Sequence, residues 1–238
     1  MCRDSEGALD ITIHPVIDIW GIEGDFPRVP EEEEIEKALE TVGYENLHIG
    51  EDDSLYADNS QVSLDLGSIG KGIAADEIRN TLNNQEIRGA VISIGGTVLV
   101  YGKKPGDYEW QIGIRDPRGE QGTVFGTLTM AEDGVISTSG DYEQYFIEQD
   151  KRYHHIFDPA TGYPADSGLC SVTVISEQGI ISDGLSTACF VLGYEKSLPL
   201  LEQYDAEAIF VTTEKEVYVT DGIRNSFEIK NPDYVLQP

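Results

Sequence analysis

The sequence predicts an α+β fold: one compact domain with mostly antiparallel sheets and two pseudo-repeated helix–strand–strand units. Three observations carry this. Short runs such as WQIGI at 110–114 and GTVFGTLTM at 122–130 alternate apolar and polar residues, as half-buried strands do, and TVLVY at 97–101 reads as a further strand. Glycine turns such as Gly95-Gly96 join them. Other segments place apolar residues at helical spacing, among them Ile69, Ile73, Ala74, Ile78 and Leu82, and later Leu185, Ala188, Cys189 and Leu192. The third observation is a weak internal echo. Asp65 precedes a helix, then GAVISI, a turn and TVLVY; Asp183 opens a helix, then AEAIFV, a turn and EVYV. The same interval separates Asp65 from Ala90 and Asp183 from Ala208. Two such units paired about a pseudo-dyad would aim their helix N-termini at one site; chance similarity between common helix–hairpin units is the alternative.

In chain order, residues 8–20, ALDITIHPVIDIW, begin as a strand-like alternation that Pro15 breaks or bends. Residues 21–30 read as a loop. A helix follows Pro30, with glutamates in its first turn, a buried stripe of Ile35, Ala38, Leu39 and Val42, and Gly43 as its stop. A hairpin is expected around 51–53. VSLDL, 62–66, reads as a short strand entering Gly67-Ser-Ile-Gly-Lys-Gly72 and a helix. Strands at 89–94, 97–101, 110–114 and 122–130 come next; residues 134–139 then lead to Gly140-Asp141 and an aromatic segment with Tyr142, Tyr145 and Phe146. After 153–168 the pattern gives a strand at 170–175 and a helix from Ser182 or Asp183 to Gly193. A helix at 195–204 and strands at 207–212 and 216–220 complete it. No Pro/Gly/Ser-rich linker divides the chain.

The formal charge of -28 on 238 residues argues against nucleic-acid binding, which needs a basic face. It also constrains any phosphate ligand. Local devices must offset the field: a metal ion, helix N-termini, or a few Lys and Arg side chains. No apolar run is long enough to span a bilayer, and residues 1–10 lack the apolar core of a signal peptide. Cys2, Cys170 and Cys189 are widely spaced, with no CxxC, so a zinc site or disulfide framework is not expected.

Two stretches concentrate the chemistry: 153–188, and a shorter one at 64–76. Gly67-Ser-Ile-Gly-Lys-Gly72 lacks P-loop and GxGxxG spacing, yet it exposes backbone N–H groups at a helix entry and adds the cation Lys71. A plain tight turn with a solvated lysine fits the same residues. Asp183 and Thr187 stand at i and i+4 on one helical face, able to offer a hard cation two oxygens. Equally, Asp183 could cap the helix while Thr187 bonds back to a carbonyl. His154 and His155 alternate sides, so one of them can face a site and accept a proton near neutral pH. Ser137, Thr138, Ser139, Gly140 and Asp141 form either a phosphate-binding cluster or a polar turn. Trp20 beside Gly21 is able to stack on a flat ring, although a core role fits it better.

Taken together the pieces resemble the ApbE family of FAD:protein FMN transferases. The matching segments are LDITIHPVIDIWGI, VGYENLHI, LDLGSIGKGIAAD, ISIGGTVLVYG, WQIGIRDP, ISTSGDYEQYF, YHHIFDPATGYP, SVTVIS and SDGLSTACFVLG, in the family's order and almost end to end. The resemblance implies a T-fold-like domain that uses FAD as substrate with Mg²⁺, attaches FMN to a threonine of a target flavoprotein and releases AMP. It puts Asp183 and Thr187 on metal-ligand positions, with the main-chain carbonyl of Gly70 completing the set. Gly67, Lys71 and Ile73 fall on a cofactor segment, Trp20, Gly21 and Ile22 on another, and Phe157 where the chain passes the cofactor. Thr138, Ser139 and Gly140 join the cofactor side, and His155 becomes the base for the acceptor hydroxyl. The family also implies a cell-envelope location and a substantial N-terminal segment, with a signal or lipid anchor, ahead of the LDITIHP strand. The chain is read as lacking that segment, so membrane association is expected only through it. Two other activities remain open: FAD pyrophosphatase, giving FMN and AMP, and a non-catalytic FAD-binding module.

Overall fold

The computed structural model describes residues 1–106, 108–131 and 133–238. Its internal contacts group the chain into two compact units, Met1–Leu66 with Asp141–Asp166, and Gly67–Gly140 with Ser167–Pro238. In chain order, the first unit opens with α1 (His14–Trp20), α2 (Glu32–Leu39), β1 (Leu47–Ile49) and β2 (Leu55–Ala57). The second contributes α3 (Gly67–Asn83), β3 (Gly89–Ile94), β4 (Thr97–Gly102), β5 (Trp110–Arg115), β6 (Val124–Met130) and β7 (Gly134–Gly140). The chain returns to the first unit for β8 (Tyr145–Glu148) and β9 (Lys151–His154). It ends in the second with β10 (Leu169–Ser176), α4 (Gly179–Leu192), α5 (Tyr194–Gln203), β11 (Glu207–Thr212), β12 (Glu216–Val219), β13 (Phe227–Ile229) and β14 (Val235–Leu236).

The α+β class and the dominance of antiparallel pairing are as the sequence predicts, and several stretches differ locally; α2, for one, ends at Leu39 and does not run on to Gly43. Residues 8–20 do not form a strand. Pro15 sits in the first turn of α1, where its missing N–H leaves no gap, and Gly21 closes the helix at φ 58 with its N–H on the Ile17 carbonyl, 3.0 Å. Val16 and Trp20, one turn apart, are fully buried, so the helical period outweighs the two-residue one. Residues 62–66 are irregular rather than a strand, and the glycine-rich motif forms the first turns of α3 itself. Ile73 therefore points outward, 40% exposed, while Gly72 and Ala75 line the buried face.

The first unit is organised around Trp20. Phe157, Tyr153, Phe146 and Tyr163 surround its ring at centroid distances of 5.6, 5.4, 6.5 and 5.7 Å. The indole N–H donates to the Gly162 carbonyl, 2.9 Å, so the polar handle is satisfied inside the cluster. Gly162 holds φ 70, and a Cβ there would press on Ile35 of α2, which favours glycine twice over. The β1–β2 hairpin forms around 51–53 as expected.

In the second unit a seven-stranded sheet has the order β14-β12-β11-β10-β7-β4-β3, antiparallel except at β12–β14. The central pair is β7–β10, and the hairpins β3–β4 and β11–β12 flank it, which is the two-fold arrangement the echo implied. Alternation along β4 and β7 sends Leu99 and Val135 toward Ala75 of α3, and Val100 and Ile136 to the other face. There they pack with Ile112, Ile114, Phe125 and Leu128 of the three-stranded sheet β13-β6-β5. Helices α3 and α4 cover the first face and touch each other along their N-terminal halves. Among the described residues no helix is long and apolar enough to cross a membrane.

Candidate functional site

The contact between α3 and α4 is set by two glycines. A Cβ at Gly72 would collide with the Gly179 carbonyl and with Asp183 Cβ, and one at Gly179 with the Gly72 carbonyl. Backbones this close let each helix reach the other's main chain. Asp76 of α3 accepts from the Gly179 and Ile180 N–H groups, at 2.7 and 2.9 Å, and so caps α4 from outside. Asp183 of α4 accepts from the Gly72 N–H at 2.9 Å. Because the helix begins at Gly179, Asp183 lies inside it and is not its cap. The helix-to-helix match therefore pairs Asp183 with Asp76, not with Asp65.

Asp183 is 3% exposed. Burial raises its pKa, an effect opposed by the Lys71 ammonium, the Gly72 N–H and the Thr97 hydroxyl. Its Oδ2 is taken by Gly72, while Oδ1 faces Lys71 Nζ at 3.5 Å and the Thr97 hydroxyl at 3.4 Å. Hydroxyls continue from there. Thr97 meets Ser137 at 3.0 Å, and Ser139 meets Ser186 at 2.8 Å and Thr187 at 3.3 Å, whereas Thr138 alternates to the other face of β7, away from Asp183, and meets Thr173 at 2.9 Å.

The second unit thus brings Lys71 to Asp183, and Ser139 to Thr187. Gly67 and Gly70 lie exposed on the opening turns of α3, and a Cβ at Gly70 would meet open space. Thr138 and Ser139 are half-buried on β7 and Gly140 is buried at its end. Among the described residues no group of three or more His, Cys, Asp or Glu could hold a metal. A cation here has a sparse set of hard oxygens: the Asp183 carboxylate, the Thr97 hydroxyl beside it, and the Gly67 carbonyl that the Lys71 ammonium also reaches. That suits Mg²⁺, which keeps few protein ligands, and the ammonium already against Asp183 Oδ1 shows that the spot accepts positive charge.

In the first unit, Trp20 is fully buried, Phe157 is 5% exposed, and Gly21 and Ile22 are half-buried beside them. The two histidines separate as their alternation predicts. His154 is buried; its Nε2–H donates to the Ala165 carbonyl at 3.1 Å and its Nδ1 accepts from the Ile156 N–H at 3.3 Å. Burial lowers its pKa to about 4, so it is a neutral structural residue near neutral pH. His155 is half-buried, and its Nδ1 lies 3.2 Å from the Gln144 carbonyl. A carbonyl only accepts, so Nδ1 carries the proton and Nε2 is the basic nitrogen.

Sequence reading missed Thr97, Asp76 and the Gly72–Gly179 contact. One signal was present: GIAAD at 72–76 and GIISD at 179–183 share Gly-Ile-x-x-Asp.

The ordered motifs and this geometry meet in the comparisons with known proteins. The sequence profile of the ApbE family matches residues 1–210. The chain belongs to the ApbE family. A Treponema pallidum relative named FAD:protein FMN transferase is 33% identical over 98% of this chain and 68% of its own length. A Klebsiella pneumoniae relative of the same name is 36% identical over 98% of this chain and 72% of its own. Among solved structures, the Thermotoga maritima ApbE protein superposes with TM-score 0.87 at 35% identity, covering 94% of this chain and 74% of that one. The flavin transferase ApbE of Vibrio cholerae gives 0.81 at 30% identity, over 94% and 72%. The ApbE relatives are thus enzymes that handle FAD and FMN.

Proposed function

We propose that the chain transfers FMN from FAD to a threonine hydroxyl of an acceptor flavoprotein, with Mg²⁺ bound and AMP released. One observation carries the reading beyond the family: a buried carboxylate with one oxygen fixed by a backbone N–H and the other turned to a cation, in a chain of net charge -28. Such a chain needs a local positive charge before it can hold a diphosphate.

In this reading Asp183, the Thr187 hydroxyl and the Gly70 carbonyl hold the Mg²⁺, which supplies charge neutralisation to the diphosphate when bound. Gly72 keeps the carboxylate oriented through its N–H. Gly67, Lys71 and Ile73, with Thr138, Ser139 and Gly140, serve the flavin nucleotide. His155 takes the acceptor's proton on Nε2, its tautomer held by the Gln144 carbonyl. The threonine oxygen forms a bond to the FMN phosphorus as the P–O bond to AMP breaks. Such transfers depend on positioning and charge neutralisation more than on covalent chemistry.

Incubation with FAD, Mg²⁺ and a flavoprotein carrying the acceptor threonine is expected to give a fluorescent, covalently labelled band that EDTA abolishes. AMP formed without any acceptor would make water the acceptor and the enzyme a pyrophosphatase. The absence of both label and AMP would overturn the reading.

A further inference from the structure

The Asp183 carboxylate is nearly inaccessible to water, and a buried carboxylate without a partner is costly. Its ion pair is with Lys71, whose ammonium stands 3.5 Å from Oδ1 and also donates to the Gly67 carbonyl at 3.2 Å. The two side chains differ in mobility. Asp183 is pinned inside α4 by the Gly72 N–H, whereas the lysine side chain is 39% exposed on a flexible stem. The stem runs past Gly95, which holds φ 61; a Cβ there would sit 3.5 Å from Lys71 Cδ.

We infer that Lys71 is the resident counter-ion of Asp183, displaced when a divalent cation takes Oδ1 and then free to hold the substrate's diphosphate. This rests on the proposed metal role of Asp183 and specifies how that site is loaded. Mg²⁺ binds oxygen at roughly 2.0–2.1 Å. An ammonium left 3.5 Å from that same oxygen would face a second cation across a poorly screened gap, so both cannot stay. The ammonium then needs a new anion, and a diphosphate is one. Metal and nucleotide consequently assist each other: the metal releases the lysine toward the phosphate, and the phosphate draws the lysine off the carboxylate. Coupling of this kind is reciprocal and commonly about 5–150-fold. Half-exposure of Lys71 puts it at the lower end.

The test measures each ligand alone, so that turnover does not enter. Titrated calorimetrically without flavin, Lys71→Met is expected to bind Mg²⁺ about tenfold more tightly than the native chain, because a competing cation is gone. In EDTA, the same variant is expected to bind FAD about tenfold more weakly, read by quenching of flavin fluorescence. Lys71→Arg, which keeps the charge, should stay near the native Mg²⁺ affinity. Lys71→Gln repeats the measurement if circular dichroism shows that the Met variant is misfolded. Unchanged or weaker Mg²⁺ binding by the charge-removing variant overturns the exchange. Asp183→Ala separates this failure from that of the metal site: if Mg²⁺ binding survives it, the metal assignment itself falls, whatever Lys71 does.

Discussion

Asp76 and Asp183 occupy matching places on two packed helices, four residues after matching glycines, and they do different work. Both oxygens of Asp76 are spent on the first N–H groups of α4, and Arg79, one turn on, flanks it at 3.5 Å. Asp183 gives one oxygen to the backbone and presents the other to Lys71 and Thr97. The neighbours explain the difference. Where α3 has Arg79, α4 has Ser186; where Gln178 precedes Gly179, Lys71 precedes Gly72. Helix α3 also runs on from Gly72 back to Gly67, which carries the glycines and the lysine to the carboxylate of α4. One half of the pseudo-symmetric pair became a cap and the other kept an oxygen for a cation. The two histidines also differ: His154 is bonded on both ring nitrogens inside the fold, and the half-buried His155 donates its Nδ1–H to the Gln144 carbonyl.

The comparison breaks hardest at Asp183. Asp183→Ala is expected to lower FMN transfer by on the order of a thousandfold, since a bound metal contributes several kcal/mol and each 1.4 kcal/mol is about tenfold. Thermal stability should change little, because the removed carboxylate is one that burial disfavours. A large fall in Tm with activity retained would reverse the two roles.

The histidine pair is separable by pH. Burial depresses His154 to about 4, against about 6.5 in an unfolded chain. Between those values the unfolded chain binds a proton that the fold refuses. The stability tied to neutral His154 is therefore full above about pH 6.5 and is lost as pH falls toward 4. The loss is roughly 3 kcal/mol, measurable by urea unfolding at a series of pH values. His154→Gln, which keeps a donor and an acceptor, should flatten that slope. An unchanged slope would show that another group titrates there.

Much of this was legible in the residues, for identifiable reasons. Strand β5 alternates cleanly because its two faces are differently solvated. The motif order pointed to the family, and the alternation of His154 and His155 implied that the two side chains would lie on opposite sides. What misled was local. Pro15 reads as a strand breaker but serves as a helix start, and the capping alternative for Asp183 fails because the cap of α4 comes from Asp76 on another helix. Contacts between elements leave no local pattern, except that GIAAD and GIISD repeat the glycine and the aspartate together. That repeat records the crossing of α3 and α4, which the wider echo through Asp65 did not.

The glycines offer a smaller, symmetric perturbation. Gly72→Ala and Gly179→Ala each force a methyl against the facing carbonyl, so each should cost about 1–3 kcal/mol of stability. Equal losses would confirm that the crossing is two-fold in energy as well as in shape. Their effects on Mg²⁺ affinity should differ. Gly72 donates the N–H that orients Asp183, so its displacement weakens metal binding, while Gly179 donates to Asp76 and its variant should bind Mg²⁺ closer to normally. Identical losses of affinity would mean that the whole crossing, rather than one N–H, positions the carboxylate.

The gentlest test is Asp76→Ala. It uncovers two N–H groups at the start of α4, a loss of about 0.5–2 kcal/mol for a helix cap. At roughly 2–4 °C per kcal/mol for a chain of this size, Tm should fall by a few degrees. The Arg79 guanidinium, whose Nε and Nη2 are buried without a partner, would also lose its carboxylate, so the upper part of that range is expected. Transfer activity measured well below the new Tm should be close to native, because the cap's oxygens are already committed to backbone and have none to offer a cation. An Asp76→Ala chain of native stability that loses Mg²⁺ binding would mean that both carboxylates serve the metal. The division of labour between the two helices would then be wrong at its root.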